Sequence, residues 1–276
     1  MNTDRTAAGS KLLQDQKAAE SRAIIVVSIG DRHQSIYSQT RRSIEEYARR
    51  IGADLLNVDS VGVLPTELVQ VVCTRSYASK REPLPYVAKC WAIYDALGSF
   101  ERVALLDSTC VVQNQCADLF ELVSPRSVGG WNESTMTDFK SWKIDMRLAK
   151  EKRALDLPLY LNTGVLVVSR CHRELFSPGK IISNLDLFHG PYPDQLFINI
   201  MLAQSHTPVC ELSRAYNYVP VFNHNDESQR KLTLLDTTHL EIVCREGNIV
   251  HVTGYYEQRE SILAQVIRGL LKAGHI

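Results

Sequence analysis

RVALLDSTCVV, residues 102–112, runs apolar from Val103 to Leu106, breaks at Asp107-Ser108-Thr109, and turns apolar again at Val111-Val112. A half-exposed strand would alternate polar and apolar residues. An unbroken apolar run with a sharp polar edge is instead the pattern of a strand buried on both faces, as in an α/β fold. Asp107 falls at the carboxyl end of that strand, the edge where open α/β sheets bind ligands.

The flanking segments support alternation of strands and helices. Residues 23–30 read as a buried strand, 38–52 as a helix capped by Gly52, and 53–58 as a second strand; this order implies a right-handed parallel crossover. VLPTELVQVV (63–72) fits strand or helix. PYVAKCWAIYDAL (85–97) opens at Pro85 and lines up Val87, Trp91, Tyr94 and Leu97, so it reads as the helix feeding the Asp107 strand. ADLFELV (117–123) reads as a short helix and SVGGW (127–131) as a strand. The second half is less regular: a charged helical stretch, a strand at YLNTGVLVVSR (160–170), a helix at PDQLFINIMLAQ (193–204), and a strand at NIVHVTG (248–254) that ends in a glycine turn. The last segment carries Ile262, Leu263, Val266, Ile267, Leu270 and Leu271 on one helical stripe, which suits packing on the core better than a membrane surface. With no repeat and no low-complexity linker, one α/β domain is expected over 22–276. It comprises a nucleotide-binding half (22–125), an acceptor half (126–256) and a C-terminal helix (257–276), preceded by a flexible arm (1–21).

Composition narrows the function. Lys plus Arg equals Asp plus Glu at 31 each, which removes any electrostatic case for nucleic acid as the main partner. The longest apolar runs are far short of a bilayer span, and the N-terminus lacks an apolar signal core, so a cytoplasmic protein with at most peripheral membrane contact is expected. Seven scattered cysteines without a CxxC pair argue against a disulfide framework or zinc knuckle and read mostly as buried apolar side chains. HExxH, GxGxxG, GxxxxGK and GxSxG patterns are all missing, which disfavours zinc hydrolases, NAD enzymes, P-loop NTPases and serine hydrolases. What remains is polar residues at strand ends: Asp107-Ser108-Thr109, Asn162-Thr163, Asp194-Gln195, and His251 to Gly254. Carboxylate and imidazole groups brought together from separate strands suit a divalent ion, such as Mn²⁺, bridging a diphosphate.

In order, AIIVVSIGD, TRRSIEEYARRIGAD, AKCWAIYDAL, RVALLDSTCVV, CADLFELV, YLNTGVLVVSR, DQLFINIML and IVHVTGYY resemble a bacterial glycosyltransferase of the A-type fold, close to glycosyltransferase family 8. The resemblance spans residues 23 to about 256. It implies a Rossmann-like mixed sheet flanked by helices and a nucleotide-sugar donor, commonly a UDP-sugar. It also implies a glycan, lipid or small-molecule acceptor, and transfer with retention of anomeric configuration. By the same resemblance, Asp107 and His251 match ligands of Mn²⁺ or Mg²⁺. Lys89 and Gly254 match positions near the phosphates, and Ser28, Gly30 and Asp31 match the grip on base and ribose. Asn162, Asp194 and Gln195 match residues facing the sugar and its anomeric carbon.

Thr109 departs from the pattern, because the family has Asp-x-Asp where this chain has Asp107-Ser108-Thr109. A neutral hydroxyl in place of a carboxylate weakens the attraction for a dication. Three outcomes follow: a transferase with a weakened or water-filled metal site, a metal-independent transferase, or a protein that binds nucleotide sugar without turnover. If the reaction inverted, Asp194 or Glu133 would be the base candidates. A nucleotidyltransferase is a further reading, disfavoured because SIGDRHQS lacks a glycine-rich basic loop. His224 and Asn225, in a polar stretch, are candidates to touch the acceptor.

Overall fold

In a computed structural model, the protein is described over residues 21–74, 83–136, 141–189, 192–220, 237–253 and 259–276. Gly254, His224, Asn225 and all but Ser21 of the N-terminal arm lie outside the described residues.

The first crossover is β1 (Arg22–Val27), α1 (Asp31–Ile51) and β2 (Asp54–Val58), with β1 and β2 parallel. α1 begins seven residues earlier than the expected 38, because Gly30 (φ 88°) turns the chain straight into it, and Gly52 in the left-handed region ends it. The ambiguous 63–72 segment resolves as helix α2 (Thr66–Thr74), whose Leu68 and Val72 are buried one turn apart. α3 (Leu84–Ser99) leads to β3 (Arg102–Asp107). The apolar run does not continue past Asp107 as one strand. Cys110–Val112 forms a separate strand, β4.

After α4 (Leu119–Leu122) come β5 (Val128–Asn132), α5 (Ser141–Arg153), β6 (Leu161–Ser169), α6 (Pro178–Ser183), α7 (Pro193–Gln204), β7 (Val209–Leu212), α8 (Thr237–Glu246), β8 (Ile249–His251) and α9 (Arg259–Lys272). Six strands form a mixed sheet in the order β2-β1-β3-β6-β5-β7, and β4 pairs antiparallel with β8 in a small second sheet. β3 runs parallel to β1 and antiparallel to β6.

The central strands are buried on both faces, as their continuous apolar runs require. On β3, Val103 and Leu105 enter one core with α3 and α7, while Ala104 and Leu106 enter the other, against α1. The C-terminal stripe packs inward through Ile262, Leu263, Val266 and Leu270, so α9 is a core helix; only Leu271 of that stripe stands well exposed. Cys90, Cys110, Cys116 and Cys244 are buried as expected, whereas Cys73 and Cys171 are exposed.

One buried cation ties β3 to the segment behind it. Arg102 is 3% exposed and sends its two guanidinium nitrogens to the carbonyls of Phe120 (2.6 Å) and Val123 (2.5 Å). Bonds from a charged donor are about twice as strong as neutral ones, and removing the donor strands two buried carbonyls. Arg102→Met is expected to lower the unfolding free energy by about 2–4 kcal/mol in urea titration. A loss under about 1 kcal/mol would show that this pin is not needed.

Candidate active site

The carboxyl edge of β3 opens into a cavity of about 380 Å³ walled by the ends of β1, β3, β6 and β8 and the starts of α1, α3, α7 and α9. Asp107, Ser108, Thr109, Lys89, Asn162, Asp194, Gln195 and His251, eight of the expected site residues, all line it. Ser28 does not reach it: fully buried, it donates its hydroxyl to Asn57 Oδ1 at 2.8 Å, so its side chain stitches β1 to β2. Gly30 and Asp31 are exposed and are not on the cavity wall either, where Val27, Ile29 and His33 stand instead.

Two local devices place the functional groups. The first is a bulge in β6: β5 steps from Gly130 to Trp131 while its partner steps from Leu166 to Asn162, so residues 163–165 leave the ladder with β5. This turns Asn162-Thr163-Gly164 toward β8. A Cβ on Gly164 would lie 2.0 Å from the His251 ring, so the imidazole sits where only glycine leaves room. The second device is at α7, where Pro193 starts the helix and puts Asp194 and Gln195 in its first turn. One turn on, Asn199 bonds both the N–H (2.7 Å) and the carbonyl (2.9 Å) of Leu161, which fastens α7 to β6.

The polar side chains form a closed circuit. Lys89 Nζ lies 2.5 Å from Asp107 Oδ1 and 3.2 Å from Asp194 Oδ2. Thr163 donates its hydroxyl to Asp194 (2.9 Å) and its backbone N–H to Gln195 Oε1 (3.2 Å). Gln195 Nε2 and Asn162 Nδ2 both donate to Glu133 Oε2, at 2.9 and 2.8 Å. Asn162 Oδ1 accepts from Gly164 N–H and from Asn217 Nδ2, and Asn217 Oδ1 meets His251 Nδ1 at 2.8 Å. His251 Nε2 then closes the circuit, 3.4 Å from Asp107 Oδ2.

This circuit fixes a proton. Gly164 N–H and Asn217 Nδ2 both need an acceptor in Asn162, so Asn217 turns its carbonyl to His251, and the hydrogen must sit on Nδ1. Nε2 is then the nitrogen left facing Asp107, and it is buried. A histidine held through Nδ1, with Nε2 turned to a carboxylate oxygen, has the usual bearing of a metal ligand. Asp107 divides its oxygens accordingly, one toward Lys89 and one toward His251. Burial alone would raise the Asp107 carboxyl, but Lys89 and His251 outweigh it and hold the group well below the usual carboxylate range. Burial likewise disfavours charge on Lys89, and the two carboxyl groups more than reverse that. Among the described residues no three His, Cys, Asp or Glu side chains converge on one point.

Several contributors were not legible beforehand. Arg259, at the start of α9, and His33, in the first turn of α1, both reach the cavity. Burial and then Arg259 lower the His33 pKa, while Asp107 raises it. Asn217 lies in a short 3-10 turn with no sequence signal, whereas Asn199 was detectable as one polar residue in the apolar run LFINIML. Glu133, a base candidate for inversion, is 1% exposed and off the cavity wall.

Behind the site, fully buried Asp145 accepts a short hydrogen bond from the Tyr160 hydroxyl. Burial pushes the Asp145 carboxyl up to about 7; the Tyr160 bond opposes this, and nearby Glu133 and Asp194 reinforce it. The folded protein thus keeps a proton that the unfolded chain releases near pH ~4. Its stabilising effect is complete below that pH and is lost as pH rises through about 7. The stability of the wild type relative to Asp145→Asn should fall across this window in denaturant titrations; parallel pH curves would refute the shift.

No protein-family model and no curated protein matches the sequence. Solved structures do match in fold. A glycosyltransferase involved in glycosylating the major capsid of PBCV-1 aligns at TM-score 0.53 and 14% identity, covering 88% of this chain and 99% of that one. The WbbM bifunctional glycosyltransferase aligns at 0.57 and 14% identity, covering 90% of this chain and 50% of that one. The galactosyltransferase LgtC, solved with donor and acceptor sugar analogues, aligns at 0.50 and 12% identity, covering 89% and 95%. The mixed six-stranded sheet flanked by helices is that of A-type glycosyltransferases.

Proposed function

We propose that the protein transfers a sugar from a nucleotide-sugar donor, most simply a UDP-sugar, to an acceptor hydroxyl with retention of configuration. The observation that carries this reading is that Lys89, Arg259, Asp107 and His251 line one cavity together with Asn162, Asp194 and Gln195. Such a lining suits a ligand with an anionic diphosphate and a neutral, hydroxylated sugar.

As the bond from C1 to phosphate breaks, positive character builds on the sugar and negative charge on the leaving diphosphate. Lys89 and Arg259 supply fixed cations toward that charge. Asp107 Oδ2 and His251 Nε2 are the groups that would hold Mn²⁺ or Mg²⁺, and such an ion would add Lewis-acid stabilisation of the leaving group. With Thr109 in the second position the protein provides two firm donors, so the ion is expected to bind weakly without the nucleotide. Asn162 and Gln195 orient the sugar, and the cavity wall excludes water from C1.

Engagement of both candidate bases supports retention over inversion. Asp194 is held by Lys89 and Thr163, and Glu133 by Asn162 and Gln195. The acceptor proton can instead pass to the departing phosphate, so the reaction needs no dedicated base. Thr109 favours one alternative, a protein that binds nucleotide sugar without turning it over.

Calorimetry with UDP and UDP-glucose is expected to show binding in Mn²⁺ that weakens at least about tenfold, ~1.4 kcal/mol, in EDTA and in Asp107→Asn. Binding unchanged by EDTA would remove the metal from the account. Binding without UDP release would favour the non-catalytic alternative, and failure of every nucleotide sugar to bind would overturn the proposal.

A further inference from the structure

Asn162 and Gln195 end in carboxamides, which present nearly the same shape when flipped by half a turn while exchanging donor and acceptor. A site that uses such groups to orient a sugar needs something that forbids the flip. A carboxylate has no proton to give, so any amide facing it must present N–H. Glu133 meets that requirement twice, since one of its oxygens accepts from both amides, at 2.8 and 2.9 Å. It is buried, is not among the residues that line the cavity, and stands behind two residues that are.

We infer that Glu133 is a positioning residue, the common acceptor that locks the carboxamides of Asn162 and Gln195 in one orientation across the floor of the site. Each amide has two N–H donors, and Glu133 takes one from each. With those committed, Gln195 Oε1 faces the Thr163 N–H, and Asn162 Oδ1 faces Gly164 and Asn217. The inference about catalysis rests on the transferase reading; the inference about orientation does not.

The test compares Glu133→Gln, which can keep an oxygen at the shared acceptor position, with Glu133→Met, which cannot. Side-chain amide hydrogen exchange is followed by NMR on the free protein, with the Asn162 and Gln195 signals assigned through N162S and Q195A. In Glu133→Met both amides should exchange at least about tenfold faster than in the wild type, with Glu133→Gln in between. UDP release from UDP-glucose should fall at least about thirtyfold in Glu133→Met and less in Glu133→Gln, with UDP affinity held within about threefold. Unchanged amide exchange in Glu133→Met would overturn the inference. So would a joint loss of melting temperature and UDP affinity in both variants, which would mark Glu133 as structural only. If the wild type releases no UDP from any UDP-sugar, the transferase reading fails while the exchange result still decides the role of Glu133.

Discussion

A half-buried ammonium holds a half-buried carboxyl and a buried one together, and the rest of the site depends on that contact. Lys89 projects from α3 between Asp107 at the end of β3 and Asp194 at the start of α7. Without the lysine, two like groups would face one another inside the protein, and one would have to take up a proton or move away. With it, three elements distant in sequence share one electrostatic centre, and the Asp107 carboxyl is held charged. The arrangement is specific as well as attractive, because Lys89 occupies one oxygen of Asp107 and leaves the other toward His251.

From this centre the orientation of the remaining groups spreads through hydrogen bonds, each with one sensible direction. Thr163 can donate to Asp194 because the β6 bulge lifts it off the ladder. His251 can approach because residue 164 is a glycine. The histidine presents Nε2 to Asp107 because Asn217 takes the hydrogen of Nδ1, and Asn217 is turned by Asn162. A network satisfied in this way is rigid in a low-dielectric interior, which is what a site needs if it is to meet developing charge without first rearranging.

The sequence revealed most of the strands and most of the polar cavity floor, for a physical reason. Strands buried on both faces must be continuously apolar, so a carboxylate ending such a run, as in LLDST, stands out, and Asn162, Asp194 and Gln195 interrupt apolar stretches in the same way. Residues that act through three-dimensional convergence were harder to see. Asn217 and Arg259 belong to segments whose local pattern is ordinary, and only folding brings them to the cavity edge. Ser28 misled because the carboxyl end of a strand has two sides, and its hydroxyl turns to Asn57. The start of α1 was missed because a glycine with positive φ admits a helix without the usual polar N-cap. Glu133 was visible, but its role was not, since a buried carboxylate that accepts two amides and a solvent-facing base look alike in sequence.

The central claim is that Asp107 and His251, organised by Lys89 and the amide network, receive the diphosphate of a nucleotide sugar. The most direct test is a crystal structure grown with a UDP-sugar and Mn²⁺, read by anomalous scattering at the manganese edge. A manganese peak beside Asp107, His251 and the phosphates is expected, with the sugar against Asn162 and Gln195. A diphosphate bound elsewhere on the protein, or one bound in the cavity with no manganese between it and Asp107, would contradict the claim.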